Sequence, residues 1–377
     1  MKINNNTEYA VCSKCVLDTT VNDISFNENG VCNYCLDYEY RVSHIVEEDV
    51  FIKQNKLDKL LSNIRSDGKR RHYDCIVGVS GGVDSSWALV QAKKLGLRPL
   101  AVHMDNGWNS ELAQSNIENL VKKLDVDLYT YVIDWDEYKK LMQAFFDADV
   151  IDVELLYDNA MLAINYQLAH KYGIKYILSG CNISTEGVRV PTGWNWFKKD
   201  KLNIKSIAAS KKIKIKSFPA IGTMDFIYYE FLRGIKWLPF LDYFKFNKEE
   251  ALNVLESDFS YKRYPFKHYE SIFTRLYQGF ILPEKFNVDK RRLHFSSLIL
   301  SGQMLRCDAL EKLNCIPYAS EEILSDDINY FLKKMGWSEH DLSSYLARPE
   351  KSHAEYGSEK KLWDICQSLY FCLVNKK

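Results

Sequence analysis

The chain has no uninterrupted apolar run long enough to cross a bilayer. Its most apolar segment, 226–244, is broken by Glu230, Arg233, Lys236 and Asp242, charges that a spanning helix does not tolerate. The segment reads as core or interface. Net charge is also missing, because Lys+Arg and Asp+Glu each total 50. That balance argues against sequence-independent nucleic-acid binding. The first ten residues are polar and asparagine-rich, without the apolar stretch of a secretory signal. The expectations are therefore a cytoplasmic location, no membrane and no nucleic acid. Two common nucleotide motifs are absent as well. No Walker loop ending in Gly-Lys-[Ser/Thr] is found, and no third glycine completes a dinucleotide fingerprint. Position 2 is Lys2, which excludes an N-terminal cysteine nucleophile. No cysteine lies on a glutaminase nucleophile elbow.

What is present begins at Asp74-Cys-Ile-Val-Gly-Val-Ser-Gly-Gly-Val-Asp-Ser-Ser86. An apolar, strand-like run (75–79) meets Ser80-Gly81-Gly82, and a helical pattern (84–95) follows at once. Strand, glycine turn and helix start form an anion cradle. Glycines admit close backbone approach, free N–H groups point at the anion, and the helix dipole favours negative charge. Ser80, Ser85 and Ser86 add hydroxyl donors, and Asp84 suits a magnesium ion or a helix cap. The sequence Ser-Gly-Gly-x-Asp-Ser resembles the pyrophosphate loop of the ATP pyrophosphatases, which split ATP into AMP and pyrophosphate.

Strand-like runs at 75–79, 99–104, 128–133 and 176–178 alternate with helical stretches at 84–95, 110–124, 138–146 and 156–172. This alternation predicts an α/β fold with a doubly wound parallel sheet, whose ligands bind at the carboxyl ends of the strands. Two further segments fall at such ends. The second strand runs into His103-Met-Asp105-Asn-Gly107, where His103 and Asp105 are candidates for nucleoside or metal contact. The fourth runs into Ser179-Gly180-Cys-Asn182-Ile-Ser-Thr-Glu186, with Gly180, Asn182 and Glu186 as candidate adenylate contacts.

Four of ten cysteines pair as Cys12-x-x-Cys15 and Cys32-x-x-Cys35. In a reducing compartment that spacing predicts a structural zinc site, not a disulfide framework. The segment between the pairs is too poor in apolar residues to fold alone, so metal binding would supply its stability, on the order of 10 kcal/mol.

Taken together, the chain resembles the N-acetyl sugar amidotransferase family of bacterial surface-polysaccharide and nonulosonate pathways. The likeness runs through the four cysteines, 80–86, 102–107 and 179–186. It continues through Lys267-His-Tyr-Glu-Ser271, Phe273-Thr-Arg275, Leu282-Pro-Glu-Lys-Phe286, Asp289-Lys-Arg-Arg292 and Ser301-Gly-Gln303. The resemblance implies an enzyme of the pyrophosphate-loop type that turns a sugar acetamido group into an acetamidino group. ATP would adenylate the amide oxygen, pyrophosphate would leave, and ammonia would displace AMP. It also implies Mg2+ with ATP, structural Zn2+, and a separate partner resembling the glutaminase and cyclase subunits of histidine biosynthesis as ammonia source.

Catalytic candidates are Asp84, Ser85, Lys267 and Arg291. The last two come from a cluster of cations (Lys262-Arg263, Lys267-His268, Lys290-Arg291-Arg292) near Glu270 and Arg275. Between Lys198 and Lys216 stand eight lysines and one aspartate, read either as a basic flap over an anionic substrate or as a solvated face. The layout is a zinc module at 1–45, a helical linker at 46–72, the nucleotide domain at 73–235 and a mostly helical substrate or partner region at 236–377. A zinc-containing tRNA thiolase of the same loop type is the alternative, with Cys181 the cysteine placed to serve it. A non-catalytic nucleotide-binding protein is the third reading.

Overall fold

The computed structural model describes residues 9–265 and 269–374. Five strands form one sheet: β1 (Cys75–Gly78), β2 (Pro99–Asp105), β3 (Leu128–Val132), β4 (Tyr176–Ser179) and β5 (Lys236–Pro239). Their order is β3-β2-β1-β4-β5 and every pairing is parallel. The central strands are buried along their lengths, while β3 at one edge leaves Leu128 and Val132 exposed. This is why β1, β2 and β4 read as continuous apolar runs. β5 ends in Pro239, as an edge strand can. It was not expected, and it lies beyond residue 235.

The principal helices are α1 (Val50–Gly68), α2 (Val83–Lys94), α3 (Glu111–Leu124), α4 (Trp135–Asp147), α5 (Leu155–Tyr172), α6 (Lys201–Ser210) and α7 (Lys248–Phe259). They continue with α8 (Lys290–Leu300), α9 (Arg306–Leu313), α10 (Glu321–Met335), α11 (Glu339–Ala347) and α12 (Lys360–Val374). Caps set many of the starts: Asp49, Ser110, Asp134 and Ser320 accept first-turn N–H groups. Ser338 and Asp341 form a reciprocal capping box that opens α11.

Helices cover both faces of the sheet. Leu57, Leu61 and Ile64 of α1 join Ala88, Leu89, Ile117 and Leu255 over Val77 on one face. Ala163 and Ile164 of α5 pack with Ile221 and Ile235 over Ile76, Val102 and Ile177 on the other. The fold is thus the expected α/β doubly wound sheet, with a four-cysteine N-terminal module and a mostly helical C-terminal region. The largest core joins Tyr34 and Tyr38 to Trp108, Phe145, Phe146, Phe331 and Tyr345. It therefore takes side chains from three of the four expected units. Segment 226–244 is mixed: Phe240 and Leu241 are buried, whereas Phe231 and Leu232 are exposed. Among the described residues no helix is long and apolar enough to cross a membrane.

Candidate active site

With β1 and β4 adjacent, the switch in strand order falls between them, where a crevice opens at the carboxyl ends. A cavity of ≈ 1180 Å³ occupies it. Gly81 sits at φ +85°, left-handed backbone that favours glycine, and a Cβ there would lie 2.9 Å from the Ala113 carbonyl oxygen. The Gly81 carbonyl accepts from Tyr261 Oη at 3.0 Å and Tyr264 Oη at 3.1 Å, so the segment after α7 fastens the loop from outside. Gly82 starts α2 with no side-chain cap, which leaves first-turn N–H groups for an anion. From the opposite strand Gly180 presses on the same turn. A Cβ at Gly180 would stand 2.6 Å from the Ser85 nitrogen and 2.7 Å from the Asp84 carbonyl carbon.

Ser80, Gly82, Asp84, Ser85, Gly180 and Glu186 all line the cavity. Ser85 also braces the loop: its Oγ accepts from the Ser80 nitrogen at 3.2 Å and donates to the Gly82 carbonyl at 3.2 Å. The donor set, a carboxylate beside hydroxyls and open N–H groups, suits Mg2+ with a polyphosphate. Val102 and Met104 from β2 and Leu178 from β4 give the cavity an apolar flank.

Other candidates are placed elsewhere. Gly81 shapes the loop and does not line the cavity. Ser86 is buried, and its hydroxyl meets no partner among the described residues. His103 is a satisfied core histidine: Nδ1 lies 2.9 Å from the Val79 carbonyl, and Nε2 lies 3.0 Å from Asn109 Nδ2. Burial lowers its pKa, consistent with a neutral ring that donates from Nδ1. Asp105 accepts from the Gly107 nitrogen at 2.8 Å and from Asn109 at 3.2 Å, closing the turn after β2. Asn182 caps the short helix Ile183–Glu186. None of these candidates lines the cavity.

The cationic cluster comes apart. Lys267 and His268 lie outside the described residues. Arg291 pairs with Asp289 at 2.8 Å and donates to the carbonyls of Lys312 and Cys315 at 3.1 and 2.8 Å, so it ties α8 to the end of α9 and is not free to act on a substrate. Arg275 is bound by Asp327 through two contacts of 2.5 Å. Arg292 pairs with Asp18 at 2.9 Å. The cations on the cavity wall are Lys248, Arg263 and Lys312. Of these, Arg263 is held by Glu249 and Glu256.

The lysine run divides: Lys205, Lys211, Lys212, Lys214 and Lys216 are exposed, as on a solvated face, whereas Lys198, Lys199 and Lys201 are half-buried. Lys198 is recessed between Asp152 and Asp158 at 2.7 and 2.8 Å. Lys199 lies over Phe226 and Trp363 at 3.8 and 4.3 Å, and Lys201 pairs with Asp225 at 3.0 Å. Several cavity residues were not anticipated, among them Tyr157, Asn165, Tyr261, Tyr264, His294 and Cys315. Single tyrosines and histidines on helices carry no spacing signal that separates a cavity wall from a core.

The sulfur atoms of Cys12, Cys15, Cys32 and Cys35 lie within 4.8 Å of one another, with neighbouring pairs at 3.6 to 3.8 Å. A tetrahedron with ~2.3 Å zinc–sulfur bonds has edges of about 3.8 Å, so the four thiolates fit a zinc ion. Backbone N–H groups of Lys14, Cys15 and Cys32 point at Cys12 Sγ from 3.2 to 3.4 Å, placing positive dipoles on a thiolate.

Residues 270–370 match the family described as LPS biosynthesis protein WbpG-like, C-terminal domain. No curated protein matches the chain. Among solved structures, similarity extends to the NMN synthetase from Francisella tularensis, at 17% identity over 59% of this chain and 100% of that one, TM-score 0.30. It extends also to the NH3-dependent NAD synthetase from Campylobacter jejuni, at 16% over 54% and 83%, TM-score 0.29. A predicted subunit of tRNA methyltransferase from Methanocaldococcus jannaschii aligns at 16% over 48% and 74%, TM-score 0.28. Glu270, the first residue of the matched region, reaches the loop: its Oε1 lies 3.2 Å from where a Cβ on Gly82 would stand. Residues 270–370 are thus similar to a WbpG-like C-terminal domain of lipopolysaccharide biosynthesis, and the first of them reaches the loop at Ser80–Ser86.

Proposed function

We propose that the protein is an ATP-dependent amidotransferase that converts a sugar acetamido group to an acetamidino group during surface-glycan biosynthesis. The observation that carries this reading is the meeting of the uncapped Gly82 turn with Glu270 of the WbpG-like region at one cavity. An amide oxygen is a poor leaving group. Its attack on the α-phosphorus of ATP makes it part of AMP, with pyrophosphate expelled. Loop N–H groups and the Ser80 hydroxyl would take up charge on that pyrophosphate. Asp84 would hold Mg2+, which neutralises phosphate charge when bound. Ammonia then forms the new C–N bond as the C–O bond to AMP breaks. The sugar would lie toward α8 and α9, which supply His294, Phe295 and Lys312 to the wall. A separate glutaminase would supply ammonia. The test is pyrophosphate release from Mg-ATP and ammonium over a panel of acetamido sugars. A sugar-dependent signal lost in Asp84→Ala, with product one mass unit lighter, supports the reading; no signal with any sugar opposes it.

One observation favours the thiolase alternative: Cys181 and Cys315 are both exposed and both line the cavity. Pyrophosphate release with unmodified tRNA and a sulfur donor, in place of sugar and ammonium, would select that reading.

A further inference from the structure

Three carboxylates and two lysines meet where α5 and α8 run past the cavity. Asp152 is fully engaged: the Trp196 nitrogen donates to Oδ2 at 2.6 Å, and Lys198 Nζ lies 2.7 and 3.0 Å from its two oxygens. Glu154 is engaged too, by Lys290 at 2.9 Å and by Gln278 at 2.9 and 3.0 Å. Asp158 differs. Lys198 holds its Oδ2 at 2.8 Å, and no protein donor meets Oδ1 among the described residues. Its side chain keeps 37% of its surface exposed, against 2% for Asp152.

The location is joined to the candidate active site by the helices themselves. Tyr157 and Met161, on either side of Asp158 in α5, line the cavity, as does Asn165. Asn165 Oδ1 lies 3.8 Å from where a Cβ on Gly78 would stand, at the foot of the loop. Seven residues of helix separate Asn165 from Asp158, or ~10 Å along the axis. On α8, Lys290 lies one turn before His294, another wall residue.

The proposed reaction needs a base. Ammonia at neutral pH is mostly ammonium, whose nitrogen lone pair is occupied by a proton. Resting on the amidotransferase reading, we propose that Asp158 is the catalytic residue that accepts this proton, with Lys198 and Asp152 as positioning residues. The proton moves from ammonium to Asp158 Oδ1. The freed lone pair forms the C–N bond to the acetamido carbon, and the C–O bond breaks with its electron pair leaving on AMP. Partial burial, with Glu154 and Asp152 alongside, raises the Asp158 pKa and makes the carboxylate a better acceptor, while Lys198 opposes part of that rise.

The test uses the full chain and two nucleophiles. Hydroxylamine is largely unprotonated at neutral pH and needs no base to release its lone pair. Asp158→Asn is expected to keep sugar-dependent ATP–pyrophosphate exchange, to lose on the order of 10²–10⁴-fold with ammonium, and to keep hydroxylamine turnover within about tenfold of wild type. Asp158→Glu, which retains the carboxylate, is expected to keep the wild-type ratio of ammonium to hydroxylamine rates. Equal losses with both nucleophiles, no loss with ammonium, or the Asn pattern in the Glu variant would overturn the assignment. Wild-type protein without sugar-dependent exchange would instead overturn the amidotransferase reading on which it rests.

Discussion

Arg306 Nη2 donates to the Cys12 carbonyl at 2.7 Å, so the first residue of α9 is bonded to the four-cysteine site across 294 positions of sequence. Its Nε reaches the Cys15 carbonyl at 2.9 Å, Arg292 donates to the Val16 carbonyl at 2.9 Å, and Ser296 Oγ receives the Val16 N–H at 3.3 Å. The cysteine module thus braces α8 and α9, which carry His294, Phe295 and Lys312 of the cavity wall. Chelating the metal is expected to lower the melting temperature of the whole chain and to weaken sugar binding, with one zinc released per chain. Arg306→Ala should cost about 1.5–3 kcal/mol of unfolding free energy, as charged hydrogen bonds do, with zinc still bound. Metal analysis and denaturant melts check both.

Gly180 is a second point of leverage. A methyl group there would meet backbone atoms of Asp84 and Ser85 at 2.6 to 2.8 Å, and backbone cannot swing aside. Gly180→Ala should open the loop and weaken ATP binding by at least tenfold while the sheet persists. Nucleotide titration alongside circular dichroism reads the two effects separately.

His353 gives the fold an acid-sensitive joint. Burial, with Lys198 adding to it and Asp152 and Asp200 opposing, lowers its pKa to about 4. It stacks on Trp196 at 5.0 Å, accepts from the Asp152 nitrogen at 3.2 Å and lies 2.8 Å from Asn203 Oδ1. The unfolded chain binds this proton near pH 6.5 and the folded chain only near 4. The stabilisation is therefore full above about 6.5 and falls as pH drops toward 4, by on the order of 3 kcal/mol. His353→Gln should flatten that part of the stability–pH profile in urea unfolding.

Cys181 separates the two chemistries. Cys181→Ser should leave an amidotransferase within about threefold of wild-type turnover, since no sulfur takes part, whereas a thiolase that uses this thiol loses activity outright. Steady-state rates for the variant with each substrate set decide it.

The loop at Ser80–Ser86 is legible in sequence because its constraints are local: glycines and hydroxyls at fixed spacing between a strand and a helix. The cysteine pairs are legible for the same reason, since four thiolates at this spacing have few other uses. His103 and Asp105 show where such reasoning stops, because a strand end places a residue near a ligand without deciding which way it faces. Arg291 and Lys198 show it again. Runs of cations look alike in sequence whether solvated, paired with a carboxylate or clasping carbonyls, and the partners here come from 2 to 46 positions away. β5 escaped notice because four residues ending in proline carry little strand signal. Asp158 stands apart from its neighbours Asp152 and Glu154 only once the partners of all three are known among the described residues.

In the proposed reaction the amide oxygen of a sugar becomes an oxygen of AMP. Its most direct test is turnover of an acetamido sugar carrying 18O in the carbonyl, with mass analysis of the nucleotide. AMP heavier by two mass units and an acetamidino product free of the label are expected. Unlabelled AMP formed alongside the acetamidino product would contradict it.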